Sequence, residues 1–224
     1  MKYRHEFKFQ LSPNDYLTVR ARLRAVLLHD SHVGENNEYH IRSIYFDTPG
    51  DKALREKIDG VNSREKFRIR FYNGDLTHIN LEKKSKLNGL SHKQTTAVSQ
   101  EEAALLLEGI YPDLAPQRTL LAELISKMQY QQLRPKTIVD YIREPFIFTA
   151  GNVRVTLDRG IRTGTVNGVQ ALTSLAVTIP AGTQGPLLEV KYDEFLPEII
   201  RDIVQLGSRQ AGAFSKYAAC RIYG

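Results

Sequence analysis

The chain has 224 residues, with 31 Lys and Arg against 25 Asp and Glu, a formal net charge of +6 and a single cysteine. One cysteine excludes an intramolecular disulfide, and the scattered histidines His5, His29, His32, His40, His78 and His92 leave no Cys/His set for a structural zinc. No apolar run approaches the ~18 residues of a membrane helix, and the N-terminus M-K-Y-R-H-E-F-K-F is charged throughout, unlike a secretory signal. A cytoplasmic protein in reducing surroundings is therefore expected.

A first strand is predicted over about residues 3–10. It stops at Ser12-Pro13, where Ser12 caps a helix and Pro13 opens it. That helix runs through Tyr16, Val19, Leu23 and Leu27 and is expected to end near His29-Asp30, with Arg20, Arg22 and Arg24 on a solvated face. Y-H-I-R-S-I-Y-F-D (39–47) is dense in β-branched and aromatic residues and reads as a strand, followed by a turn at Thr48-Pro49-Gly50 and a short helix near 52–57. Strands at about 64–72 and 77–86 join through Asn73-Gly74-Asp75, and Asn88-Gly89 leads to another over 91–98. Ser99 with Glu102 forms a capping box for a helix over 101–108, and a helix over about 116–131 carries Leu120, Leu121, Leu124, Ile125 and Met128 on one stripe. Strands are predicted again at about 136–147, 152–163, 170–179 and 186–193. Pro197 opens a last helix through Ile200, Ile203 and Val204, before a C-terminal segment A-F-S-K-Y-A-A-C-R-I. Cys220 in that segment reads as a packed small hydrophobe. No linker or repeat divides the chain, so one domain over 1–224 is expected, of class α+β: antiparallel strands, with helices set between groups of them.

The strands share an unusual pattern. Lys66, Arg68 and Arg70 alternate with Phe67, Ile69 and Phe71, which in a strand puts cations on one face and apolar groups on the other. The same alternation recurs at Arg4, Glu6 and Lys8; at Glu82, Lys84 and Lys86; around Tyr141 and Arg143; at Arg154, Thr156 and Asp158; and at Glu189 and Lys191. Any one such strand is more often an exposed sheet face. Six together point to a barrel whose lumen is charged, which is tolerable only if that lumen is wet or filled by ligand. The net positive charge of the whole chain matches the excess of cations at these positions, so the natural ligand is a polyanion. Nucleic acid is disfavoured, because Phe67 and Phe71 fall on the face opposite the cations.

The segments R-H-E-F-K-F, I-R-S-I-Y-F-D-T-P, R-E-K-F-R-I-R-F-Y-N, L-E-K-K-S-K-L-N-G, Y-I-R-E-P-F, V-R-V-T-L-D-R-G-I-R, L-L-E-V-K-Y and F-S-K-Y resemble, in order, those of the VTC-type polyphosphate polymerase domain, a branch of the triphosphate tunnel (CYTH-like) superfamily. The resemblance implies an antiparallel β-barrel or tunnel with peripheral helices, in which ATP donates its terminal phosphate to a growing inorganic polyphosphate chain. It implies that Lys66, Arg68, Arg70, Arg143, Arg154 and Lys191 meet the reacting phosphates, with Lys8 and Lys84 as further phosphate ligands. Tyr141 and Lys216 are implied as wall or mouth contacts, although Tyr141 reads first as a packed residue. Glu189 is the implied ligand of a divalent metal, Mn²⁺ or Mg²⁺. Strand alternation adds Lys86 to the cations, and Glu6 and Glu82 either as further metal ligands or as partners that hold the cations in place. Asp158 reads as structural or as a partner orienting a phosphate ligand. Hydrolytic and cyclase members open with Glu-x-Glu-x-Lys, whereas this chain has Arg4-x-Glu6-x-Lys8, which favours the polymerase branch. An inorganic triphosphatase, or a polyphosphate- or inositol-phosphate-binding module without catalysis, remains the alternative. ATP and polyphosphate are the expected small partners, and a membrane protein is an admissible macromolecular one.

Overall fold

The computed structural model describes residues 4–30, 33–34, 36–88, 90–113, 117–174, 178–182, 185–207 and 211–223. Tyr3 at the start of the predicted first strand, His32, Gly89 and residues 175–177 of the predicted 170–179 strand lie outside them. The chain is α+β with antiparallel strands, as expected, and it divides into two compact units, each assembled from separate stretches.

The first unit takes residues 1–40, 141–161 and 183–215. It holds β1 (His5–Gln10), α1 (Pro13–Val26) and β2 (Leu28–His29). Ser12 Oγ accepts from the Asp15 amide at 3.2 Å and the Asp15 carboxylate accepts from Ser12 N, so the predicted cap is a full capping box. The helix stops at Val26, earlier than expected, because Leu27 turns extended and Leu28–His29 pairs with a strand instead. The unit also receives parts of β3 (Tyr39–Asp47), β7 (Arg134–Phe148) and β8 (Val153–Thr165), then β10 (Leu187–Tyr192) and α6 (Glu198–Val204). β10 lies between β1 and β8, antiparallel to both. Its approach to β1 needs Gly185, where a Cβ would sit 2.4 Å from the Leu11 carbonyl oxygen. Val19, Leu23, Phe146, Val155, Leu157, Leu188, Val190 and Ile200 form the core beneath this sheet.

The second unit takes residues 41–140, 162–182 and 216–224. Most of β3 pairs with β4 (Ser63–Tyr72), β4 with β5 (Ile79–Leu87) and β5 with β6 (Leu90–Val98), all antiparallel. Asn73 and Gly74 adopt φ of 52° and 72° in the β4–β5 turn, the left-handed pair that asparagine and glycine tolerate best. The helices are α2 (Lys52–Ile58), α3 (Gln100–Leu107), α4 (Thr119–Tyr130), α5 (Gln170–Thr173) and α7 (Lys216–Tyr223). The predicted 170–179 strand is corrected here: its first residues form α5, and only Ile179–Pro180 are extended, as β9, paired with Arg162–Thr163. The helix forms because Ala171 and Leu172 are buried in the unit's core and Arg42 Nη1 caps it, donating to the Ala171 and Ser174 carbonyls at 3.0 and 2.8 Å. Phe67, Ile69 and Phe71 join the α4 stripe Leu120, Leu121, Leu124, Ile125 and Met128 in that core. Among the described residues no helix is long and apolar enough to cross a membrane.

Candidate functional site

In the second unit, strand register sets the cations on one face. Lys66 stands opposite Lys84, and Lys84 opposite Lys93; Arg68 stands opposite Glu82 and Arg70 opposite Asn80. Neighbouring cations along β4 are ~6.6 Å apart at a rise of ~3.3 Å per residue. Like charges directly opposite one another taken alone disfavour a sheet, and Lys93 of this row is met by Glu82. Glu82, 3 % exposed, is the carboxylate beneath this face: its Oε2 accepts from Arg68 Nε at 2.7 Å and its Oε1 lies 2.6 Å from Lys93 Nζ, with Arg70 Nη1 at 3.9 Å. Burial would push its carboxyl up, but Arg68, Arg70 and Lys93 outweigh that and bring it down to about 2. Arg70 Nε is held by Ser43 Oγ at 2.9 Å. Lys86 continues the face towards the strand end, opposite Arg64 and Ser91. Lys216, half-buried, opens α7.

Two tyrosines that sequence reasoning missed floor this cluster. Tyr45, 4 % exposed, accepts from Arg68 Nη1 at 2.6 Å, and the Tyr217 ring lies 4.8 Å from it, centroid to centroid. Lys66 Nζ sits 5.7 Å from the Tyr45 ring and 5.9 Å from that of Tyr217, within cation–π range. Tyr217 donates to Asp47 at 2.5 Å, and Asp47 also accepts from the Ala53 and Leu54 amides at the start of α2. The only hint in the sequence was that Tyr45 alternates with Ser43 and Asp47 on β3.

The first unit carries a different face, in which carboxylates and cations interleave. Lys8 registers with Glu189 and Glu6 with Lys191 across β1 and β10; Glu189 registers with Thr156 and Lys191 with Arg154 across β10 and β8. Lys191 Nζ is 2.5 Å from Glu189 and 3.5 Å from Glu6, and Lys8 Nζ is 3.4 Å from Glu6. Glu189 is 7 % exposed. Burial raises its carboxyl, but Lys191, a contact with the Glu6 carboxyl, Arg143 and Lys8 together hold it well below the usual carboxylate range. Arg143 makes a two-point pair with the fully buried Asp158 at 2.6 and 2.7 Å and lies 3.6 Å from Glu189. Its guanidinium stacks 5.4 Å from the ring of buried Tyr141, which is packed here. Burial would lower the Arg143 guanidinium, yet Asp158 above all keeps it raised.

Arg154 reaches Tyr39 Oη at 2.6 Å and Asp30 at 3.1 Å, while its Nε, like Thr156 Oγ1, is buried without a hydrogen-bond partner among the described residues. Buried polar atoms are normally satisfied, so Thr156 joins Tyr45 as a residue of interest; alternation placed it on this face without marking it as functional. Arg20 and Arg24 are not simply solvated, as expected of them. Both donate to the buried Glu144, at 2.5 and 2.7 Å, because that carboxylate needs partners; Arg22 is exposed as expected. Cys220 is buried, and burial pushes its thiol up to about 12, so it is a packed group.

The expected residues thus fall into two groups. Lys66, Arg68, Arg70, Lys84, Lys86, Glu82 and Lys216 are in the second unit; Lys8, Glu6, Glu189, Lys191, Arg143, Arg154 and Tyr141 are in the first. The VTC domain model matches residues 3–222. The chain belongs to the VTC domain family. Among solved structures, this VTC domain is similar to a protein provisionally described as an adenylate cyclase from Bacillus halodurans, with 17 % identity, 85 % of this chain and 80 % of that one covered, and a TM-score of 0.51. More distant are a protein of Pyrococcus horikoshii OT3 (12 % identity, 96 % and 94 % covered, TM-score 0.49) and the Mimivirus capping enzyme triphosphatase (11 % identity, 90 % and 85 % covered, TM-score 0.39). The first shows the fold, of the triphosphate-tunnel class expected from the sequence; the other two add nothing to it. No curated protein matches the chain significantly.

Proposed function

We propose that this VTC domain is a metal-dependent polyphosphate polymerase, which moves the γ-phosphate of ATP onto the end of an inorganic polyphosphate chain. The observation that carries the reading is the row Lys66, Lys84 and Lys93 placed opposite one another by strand register, with Arg68 and Arg70 beside it: a concentration of cations on one face, suited to an extended anion. Phosphoryl transfer needs positioned charge more than covalent help from the protein, and guanidinium forks on rigid strands supply it. A terminal oxygen of the acceptor chain attacks the γ-phosphorus; the bond from that phosphorus to the β–γ bridging oxygen breaks, and ADP leaves carrying that oxygen.

The residues have separable roles in this reading. Lys66, Arg68, Arg70, Lys84 and Lys86 hold phosphates along the second unit's face, with Lys216 as a further contact. Lys8, Arg143, Arg154 and Lys191 hold them on the first, where Thr156 Oγ1 and Arg154 Nε are free to bond phosphate oxygens. Glu82 serves as counter-ion to Arg68 and Lys93, which it meets at 2.7 and 2.6 Å. Tyr141 is a packing group under Arg143.

Glu189 and Glu6 suit Mg²⁺ or Mn²⁺: two carboxyl groups in contact, one buried and held ionised, form the small oxygen set such ions take while keeping water and substrate phosphate as their other ligands. A metal bound there would neutralise charge building up on the transferred phosphate. The test is a gel assay of the purified protein with ATP, Mn²⁺ and a short polyphosphate primer, beside Lys66→Ala. A lengthening ladder that the variant lacks is expected. Free phosphate without a ladder would move the domain to triphosphate hydrolysis, and binding without either product would make it a polyphosphate-binding module.

A further inference from the structure

Tyr45 is the aromatic at the centre of the second unit's cationic face, and nothing in the reaction above uses it. Its hydroxyl is the acceptor of the Arg68 Nη1 bond at 2.6 Å, its ring lies 5.5 Å from the Arg68 guanidinium carbon and 5.7 Å from Lys66 Nζ, and it is almost fully buried. A buried phenol is ordinarily neutral, because removal from water disfavours the charged form. The groups around this one reverse that. From β4 come Lys66, Arg68 and Arg70; from β5 comes Glu82, already bound to Arg68 and Lys93. From α7 comes Tyr217, whose proton is committed to Asp47 on β3.

We propose that the Tyr45 hydroxyl is the internal counter-anion of the Lys66–Arg68 site, and that it takes up a proton when a phosphate chain replaces it there. This rests on the reading that the face binds polyphosphate. The two stacked tyrosines then hold opposite states. Tyr217 donates to a carboxylate and stays protonated, its phenol pushed up by burial and by Asp47. For Tyr45, burial pushes the phenol up, but Arg68, Lys66 and Arg70, with the Arg68 hydrogen bond, bring it down to about 7. An incoming polyanion adds negative charge among the same cations and withdraws their support for the phenolate. Phenolate oxygen plus a proton from the buffer then gives phenol, and Arg68 is released to the phosphate. Affinity for phosphate therefore falls as pH rises through the Tyr45 titration, because the phenolate competes for the same guanidinium.

Inorganic tripolyphosphate is the probe. The near-ultraviolet phenolate band of the full chain at mildly alkaline pH should be present without the probe and drop on its addition. Titration calorimetry in two buffers of different ionisation heat should show proton uptake in wild type beyond that in Tyr45→Phe, which keeps the ring stack. Above neutral pH, wild-type affinity should fall relative to that variant by up to tenfold per pH unit, or about one proton's worth. A phenolate band that ignores tripolyphosphate, or equal proton uptake and equal pH dependence in the two proteins, would overturn the proposal while leaving the polymerase reading intact. Failure of wild type to bind tripolyphosphate at any pH would overturn both.

Discussion

The two ionic faces of this protein solve the problem of charge on a β-sheet in different ways. On the second unit's face, Lys66, Arg68, Arg70, Lys84 and Lys93 lie together, and Glu82 meets Arg68, Arg70 and Lys93 among them. On the first unit's face, Glu6, Glu189 and Asp158 interleave with Lys8, Lys191 and Arg143, and each carboxylate has a cation within salt-bridge distance. An excess of cation is suited to gripping a polyanion. An interleaved network is suited to placing a metal and a reacting phosphate, because the buried Glu189 is held ionised by its cations. Binding and chemistry should therefore separate by mutation.

The largest effect should come from trying to break that division. Glu189→Gln keeps shape and burial but removes the charge that Lys191 and Arg143 face. It should lower polymer synthesis by about 10²-fold or more, the scale seen when one group stabilising a transition state is lost, while tripolyphosphate affinity stays close to wild type. Lys66→Ala should instead weaken tripolyphosphate binding in calorimetry, and lose synthesis along with it. Loss of both properties in Glu189→Gln would show that the first face also carries the grip.

Next in size is stability. Each unit holds a deeply buried ion pair, Arg143–Asp158 in the first and Arg42–Asp140 in the second, with Arg42 and Asp140 each 1 % exposed. Removing one partner leaves an uncompensated buried charge, so Asp158→Ala and Asp140→Ala should each cost about 3–5 kcal/mol in urea unfolding. Asp140→Ala should also loosen α5, since Arg42 ties both Asp140 and the Ala171 carbonyl. A pair that proves neutral to remove would be one whose cation has another anion close by, as Arg143 has in Glu189.

A smaller effect separates the faces by pH. Glu82 is held at about 2 against an ordinary 4.5, so its contribution to stability is complete above 4.5 and is lost as pH falls towards 2. Glu82→Gln should thus be less stable than wild type at neutral pH, with the two converging in acid. Parallel stability curves down to the lowest pH would mean that Arg68 and Lys93 find other partners.

Much of this arrangement was legible in the sequence, for a simple reason: strand period is two, so once β4 was recognised, Lys66, Arg68 and Arg70 had to share a face. The same arithmetic placed Glu189 and Lys191 together. What alternation cannot give is which neighbour meets which. Tyr45 stands opposite Arg68 only through the β3–β4 register, and Glu144 gathers Arg20 and Arg24 from residues more than a hundred positions away. The 170–179 segment misled because Ala171 and Leu172 satisfy a strand pattern and a buried helical turn equally well in so short a run.

The smallest effect tests whether local signals weigh the same in both units. Ser12 and Ser99 each accept from the amide three residues on, with Asp15 and Glu102 answering back to the cap's own N–H. Loss of either hydroxyl leaves an amide at a helix start without its partner, so Ser12→Ala and Ser99→Ala should each cost about 1 kcal/mol. Glu102 also receives Arg118, whose other nitrogen reaches the Ala97 carbonyl at the end of β6. In Ser99→Ala the Glu102 carboxylate is still fixed by Arg118 and still accepts from Ser99 N, so half of the box survives. Ser99→Ala should therefore fall at the low end of that cost in thermal unfolding, and adding Arg118→Ala should raise it. Equal costs with and without that second change would mean that the arginine holds β6 to the helix without supporting the cap.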